Sequence, residues 1–160
     1  MTPVRIIFHH SAINAERDQL AEIDAYHKTR DFPLSKLGYY VGYHYLIERS
    51  GKVRQTRLEA EIGAHDTGEN TNSLGICLAG DFRYTVPSEA QETAFAGLVK
   101  DIRSRWDIPL ARFEPHRWDD ETQCPGPKVA DNWAARVYLL HEGNVLLRLY
   151  WWLGEYLRLV

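Results

Sequence analysis

"VRIIFHHSA", residues 4–12, decides how the chain is read. Val4, Ile6 and Ile7 are β-branched and Phe8 is apolar, which predicts a strand at the start of the chain. That strand runs into two histidines, His9 and His10. Successive side chains on a strand face opposite sides, so only one of the pair can enter a given site. The strand alone does not say which. "SLGICLAG", 73–80, reads as a second, fully apolar strand. Helical signals alternate with these runs. "ERDQLAEIDAYHKTRDF" places Leu20, Ile23 and His27 on one face of a helix over about 16–30. "PSEAQETAFAGLVKDIRSRW" is a helix begun by Pro87 and Ser88, with Glu89 and Glu92 in its first turn and Phe95, Leu98, Val99 and Ile102 on its apolar face. "VGYHYLIERSGKVRQT" reads as strand, turn at Ser50-Gly51, strand. "ARFEPHR" is a short strand ending near His116, and "PKVADNWAARVYLL" a third helix. "PLSKLGYY" and the polar "LEAEIGAHDTGENTNS" are loops. Interleaved strands and helices predict the α/β class, with a central mixed β-sheet flanked by helices.

The 160 residues suit one domain with one core. A hydrophobic content of 44% excludes wholesale disorder, and a formal charge of −3 leaves no electrostatic footprint for nucleic acid. Two cysteines do not make a disulfide framework. Cys77, inside an apolar strand, reads as a small core hydrophobe. The opening "MTPVRIIFHHSA" has no basic start followed by a long apolar stretch, so the expectation is synthesis in the cytoplasm without an export signal. Residues 1–142 are expected to form the working domain. The tail, 143–160, reads as an apolar amphipathic helix whose charges Arg148, Glu155 and Arg158 share one narrow side. Packing on the domain, a homodimer interface and membrane-surface contact all remain open for it.

"EPHRWDDETQCPG", 114–126, carries the chemistry. His116 and Cys124 are a nitrogen and a sulfur donor joined by a short loop, and zinc prefers such donors. A catalytic zinc takes three protein ligands and keeps a fourth position for water. The third ligand must come from elsewhere, and His9 and His10 are the candidates.

In order and at matching intervals, "IIFHHSA", "GYHYLIERSGKV", "GAHDTGENTNSLGICLAGDF" and "PHRWDDETQCPG" resemble the zinc-dependent N-acetylmuramoyl-L-alanine amidases of the phage-lysozyme type. Those enzymes share their fold with peptidoglycan recognition proteins. The resemblance spans about residues 4–135. It implies one Zn2+ per chain, held by His9, His116 and Cys124. It implies cleavage of the bond between N-acetylmuramic acid and L-alanine in peptidoglycan. Tyr43 falls on the tyrosine thought to hold the bound water or the developing oxyanion. Thr122 stands where phage-lysozyme members carry lysine and catalytic recognition proteins threonine, so a neutral hydroxyl replaces an ammonium. The related cytoplasmic muropeptide-recycling amidases typically use aspartate as third ligand, so Cys124 favours the phage-lysozyme and recognition-protein branch.

The remaining residues have plainer expectations. His10 is expected to support the site or the core. His27 and His44 are read as structural, His44 pointing away from Tyr43 if the strand is regular. His65 is expected at the rim of the cleft in contact with substrate. Asn72 is a second substrate-contact candidate, although Asn72 and Ser73 also suit local loop hydrogen bonds. His141 is expected in solvent. Asp119, Asp120 and Glu121 are expected on a solvated loop face, one of them supporting a ligand histidine. The implied role is a phage or prophage endolysin, made in the cytoplasm and released to the wall by a holin. Its partners would be peptidoglycan or muropeptides. The rivals are a cytoplasmic recycling amidase, a non-catalytic peptidoglycan-binding module and a structural zinc domain.

Overall fold

A computed structural model describes residues 1–142. The readings placed on 143–160 therefore lie outside the described residues. The chain runs β1 (Arg5–His10), α1 (Leu20–Thr29), β2 (Tyr45–Ile47), β3 (Val53–Gln55), β4 (Ser73–Leu78), α2 (Glu89–Arg105), β5 (Phe113–Pro115) and α3 (Trp133–His141). One sheet has the order β3-β2-β4-β1-β5. β1 is parallel to both β4 and β5, β2 is parallel to β4, and β3 closes an antiparallel hairpin on β2. The sheet is mixed and flanked by helices, as the sequence predicts.

β1 and β4 are buried along their whole length, which is why both read as unbroken apolar runs. Ile6, Phe8, Leu74, Ile76 and Leu78 pack with Phe95, Val99, Ile102, Trp133 and Val137 of α2 and α3. Leu46, Cys77 and Ala79 pack with Ile23 of α1. The alternation of β1 thus sends Phe8 into the α2/α3 side and leaves His9 on the α1 side.

α1 is shorter than expected because its start is set from outside. Gln19 Nε2 bonds to Ile13 O and Ala15 O at 3.2 and 2.9 Å, folding the preceding segment as a loop. The fully buried Glu48 carboxylate then accepts from the backbone N–H groups of Gln19 and Leu20 at 2.9 and 3.3 Å. It meets two of the open donors of the first turn and sits at the positive end of the helix. Glu48→Ala is expected to cost about 1–3 kcal/mol, read from the denaturant midpoint; an unchanged midpoint would contradict this role. α2 carries a capping box of Ser88 and Gln91, and Gln91 Nε2 also bonds to Ile47 O and Ala79 O. α3 begins later than the sequence predicts. Lys128 N donates to Phe82 O and Arg117 Nη2 to Val129 O, so 127–132 is held as a loop.

β2 begins only at Tyr45, so Tyr43 and His44 precede the strand and simple alternation does not separate them. Both rings approach His65, with centroids 6.4 and 5.7 Å away. The structural reading of His44 and His27 fits their bonds. Each offers an unprotonated Nδ1 to a backbone N–H, Gly42 to His27 and Gly75 to His44, both at 3.1 Å. Burial pushes each imidazole from 6.5 down to about 4. Between those values the unfolded chain binds protons that the folded chain does not. Stability is therefore full above about pH 6.5 and is lost as pH falls toward 4, by up to about 1.4 kcal/mol per pH unit per histidine. Thermal unfolding across that range should show Tm falling with acidity, and His27→Asn should make the fall shallower. A flat Tm would contradict this account.

Candidate metal centre

Strand register builds the centre. Phe8 pairs with Pro115, so the next residues, His9 and His116, emerge side by side at the C-terminal ends of two parallel strands. Their rings lie 4.5 Å apart. Cys124 returns on the loop after β5, where Arg117 N donates to Cys124 O at 2.9 Å and the Arg117 guanidinium holds Gly126 O, Val129 O and Asp131. Cys124 Sγ is 3.8 Å from His9 Nδ1. One donor atom from each of His9, His116 and Cys124 lies within 4.8 Å of the others. The site lies on the α1 face of the sheet, at the C-terminal ends of β1 and of the edge strand β5.

The protons can be followed through this cluster. Ser73 Oγ donates to Glu69 O at 2.7 Å, so it can only accept from His65 Nε2, 3.5 Å away. His65 Nδ1 is then the acceptor for His9 Nε2–H at 3.2 Å. That leaves His9 Nδ1 with its lone pair facing Cys124. Burial, and then the neighbouring imidazoles of His65 and His116, hold His9 well below the ordinary histidine range, so it is neutral. Burial likewise lowers His116, opposed by Asp120. Burial pushes the Cys124 thiol up to about 12, against the pull of the His10 backbone N–H and Arg117. A thiolate at neutral pH in this pocket needs a bound cation. Two neutral imidazoles and one thiol that ionises on binding form a donor set that fits zinc.

Other candidates fall into two groups. The Tyr43 ring is 5.0 Å from His9. Thr122 Oγ1 accepts from Cys124 N at 3.2 Å, leaving its own proton free to donate. Asp120 Oδ2 lies 3.1 Å from His116 Nε2, the supporting contact expected of the acidic loop. His10 faces the other side, its Nδ1 accepting from Phe82 N at 3.1 Å. His141 is exposed.

Two expectations need correction. His65 is not at a rim: it is 8% exposed and lies under His9. A Cβ on Gly63 or Gly75 would come 2.5 Å from its ring, so both glycines are required for its close approach. Asn72 sits just before β4, at the opposite end of the strands from His9, where its O accepts from Val4 N at 2.8 Å. It closes the loop and is remote from the three donors. Asp66 was missed by the sequence reading; an acidic residue beside His65 in a polar loop gives no distinctive signal. It is 2% exposed, and burial, reinforced by Asp119, Asp120 and Glu69, pushes it up to about 7. Arg5 bonds Glu69, Glu114 and Asp119, tying the loops around His116 to β1 and β5. Beside Tyr43, a cavity of about 510 Å³ is lined by Ile13, Ile23, Tyr26 and His27 among others. It offers an apolar, aromatic wall next to the centre.

A family model described as N-acetylmuramoyl-L-alanine amidase matches residues 1–127. Peptidoglycan-recognition protein SC2 of Drosophila melanogaster is 34% identical, over 77% of this chain and 68% of its own length. The endolysin of Enterobacteria phage K11 is 31% identical, over 73% of this chain and 76% of its own. Among solved structures, N-acetylmuramoyl-L-alanine amidase LysC from Clostridium intestinale superposes with a TM-score of 0.69 at 27% identity, covering 79% of this chain and 78% of that one.

Proposed function

The chain belongs to the N-acetylmuramoyl-L-alanine amidase family, and on that premise we propose that it is a zinc-dependent hydrolase of the amide between N-acetylmuramic acid and L-alanine in peptidoglycan, acting as a phage or prophage endolysin. The convergence of His9, His116 and Cys124 carries this reading. Zinc bound there, one ion per chain, supplies a Lewis acid that activates water and polarises the amide carbonyl. His9 and His116 present neutral nitrogens, and Cys124 brings the negative charge. Tyr43 and Thr122 are the donors for the oxyanion that develops on the carbonyl oxygen; Thr122 has a proton to donate as it stands, and burial keeps the Tyr43 phenol protonated. The cavity beside Tyr43 holds the adjoining part of the substrate. Among the described residues no helix is long and apolar enough to cross a membrane.

Purified sacculi and soluble muropeptides, incubated in parallel with the zinc-loaded protein, test the reading. The expected result is newly exposed L-alanine amino groups from sacculi. Release from soluble muropeptides alone would replace the endolysin by a recycling amidase. Wall binding without release would leave a peptidoglycan-binding module.

A further inference from the structure

The far side of His116 holds a carboxylate that the site described so far does not use. His116 Nε2 is 3.1 Å from Asp120 Oδ2 and 4.0 Å from Asp66 Oδ2. The two acids differ in setting. The Asp120 side chain is 41% exposed, whereas that of Asp66 has no exposure. Neither carboxylate oxygen of Asp66 has a hydrogen-bond partner among the described residues. Buried carboxylates without partners are rare because desolvation is costly, so this one needs an explanation. Arg5, a nearby cation, gives its Nη1 and Nη2 groups to Glu69, Glu114 and Asp119 instead. The Asp66 backbone is fixed by Asn70 Oδ1, which accepts its N–H at 3.0 Å.

What faces Asp66 is His116. A neutral imidazole nitrogen turned toward two carboxylates carries the proton, since a lone pair there would be repelled. Nδ1 is then the nitrogen left to bind metal. We infer that Asp66 is a positioning residue of the metal centre: a buried, fixed carboxylate that, with Asp120, holds His116 as its Nε2–H tautomer and in its orientation. Outer carboxylates of this kind orient ligand histidines and raise their basicity. The inference deepens the amidase reading and rests on it for the metal. A cation held among Asp66, His116 and Asp120, whose donor atoms also lie within 4.8 Å of one another, is the competing occupant. It would need one imidazole to serve two ions.

Three measurements on the whole chain decide. Zinc competition against a chromophoric chelator should show one ion per chain. Affinity should fall roughly tenfold to a hundredfold in Asp66→Asn, and less in the solvated Asp120→Asn. The metal-free Asp66→Asn protein should melt no lower than wild type, because a buried carboxylate without hydrogen-bond partners is removed. Long-range proton–nitrogen NMR of the metal-free protein should show His116 as the Nε2–H tautomer, with Nδ1–H gaining population in Asp66→Asn. Unchanged affinity with an unchanged tautomer would overturn the role. A second zinc on wild type, lost in Asp66→Asn, would also overturn it and identify a cation as the occupant. Wild type without any zinc would sink the amidase reading, while the tautomer measurement would still decide for or against Asp66.

Discussion

Cys124→Ser is expected to abolish wall hydrolysis, lowering kcat/KM by at least ~10³-fold, together with loss of stoichiometric zinc. Serine keeps the shape and the loop. What it removes is the one donor that can become an anion when a cation binds. The pocket opposes that ionisation, burial pushing the thiol up to about 12 in the metal-free site. A hydroxyl is far harder still to ionise, so two neutral imidazoles would be left to hold a divalent ion. The fold should survive, because Cys124 is only partly buried and Arg117 anchors its loop independently. Zinc content and release of L-alanine amino groups from sacculi check the prediction. A variant that kept its zinc would show that the metal is held elsewhere.

Tyr43→Phe should separate chemistry from metal binding. The ring packs 5.0 Å from His9 and 5.5 Å from His27, and phenylalanine keeps both contacts. Only the hydroxyl is lost, and with it a donor to the developing oxyanion. Loss of one such donor costs about 10²-fold in kcat or more. KM and zinc content should stay near wild type. The packing of the ring between two buried histidines makes the outcome informative. If the hydroxyl serves packing alone, Tyr43→Phe will lower the melting temperature and leave kcat unchanged, and the catalytic role would be withdrawn.

Much of this molecule is legible from local patterns. β1 and β4 declare themselves because they are buried on both faces and so read as continuous apolar runs. α2 declares itself through its cap and its stripe. The ends of α1 and α3 do not, since they are set by distant groups: the Glu48 carboxylate for one, the Arg117 strap for the other. The choice of His9 over His10 follows from which face of β1 meets α1, a fact about the sheet rather than the strand. The misplacement of His65 has the same origin. Its loop is polar in sequence, yet Gly63 and Gly75 open space for the ring beneath His9. Asp66 illustrates the limit best. Its meaning lies in a buried approach to a histidine 50 residues later in the chain, and neighbouring residues carry no trace of that.

The central claim is that His9, His116 and Cys124 together hold a catalytic metal. Anomalous diffraction at the zinc edge, from crystals of wild-type protein grown with zinc, tests it most directly. One zinc bonded to Nδ1 of His9, Nδ1 of His116 and Sγ of Cys124, with no fourth protein ligand, is the predicted result. An empty centre, or an ion closed off by a fourth side chain as in a structural site, would contradict it.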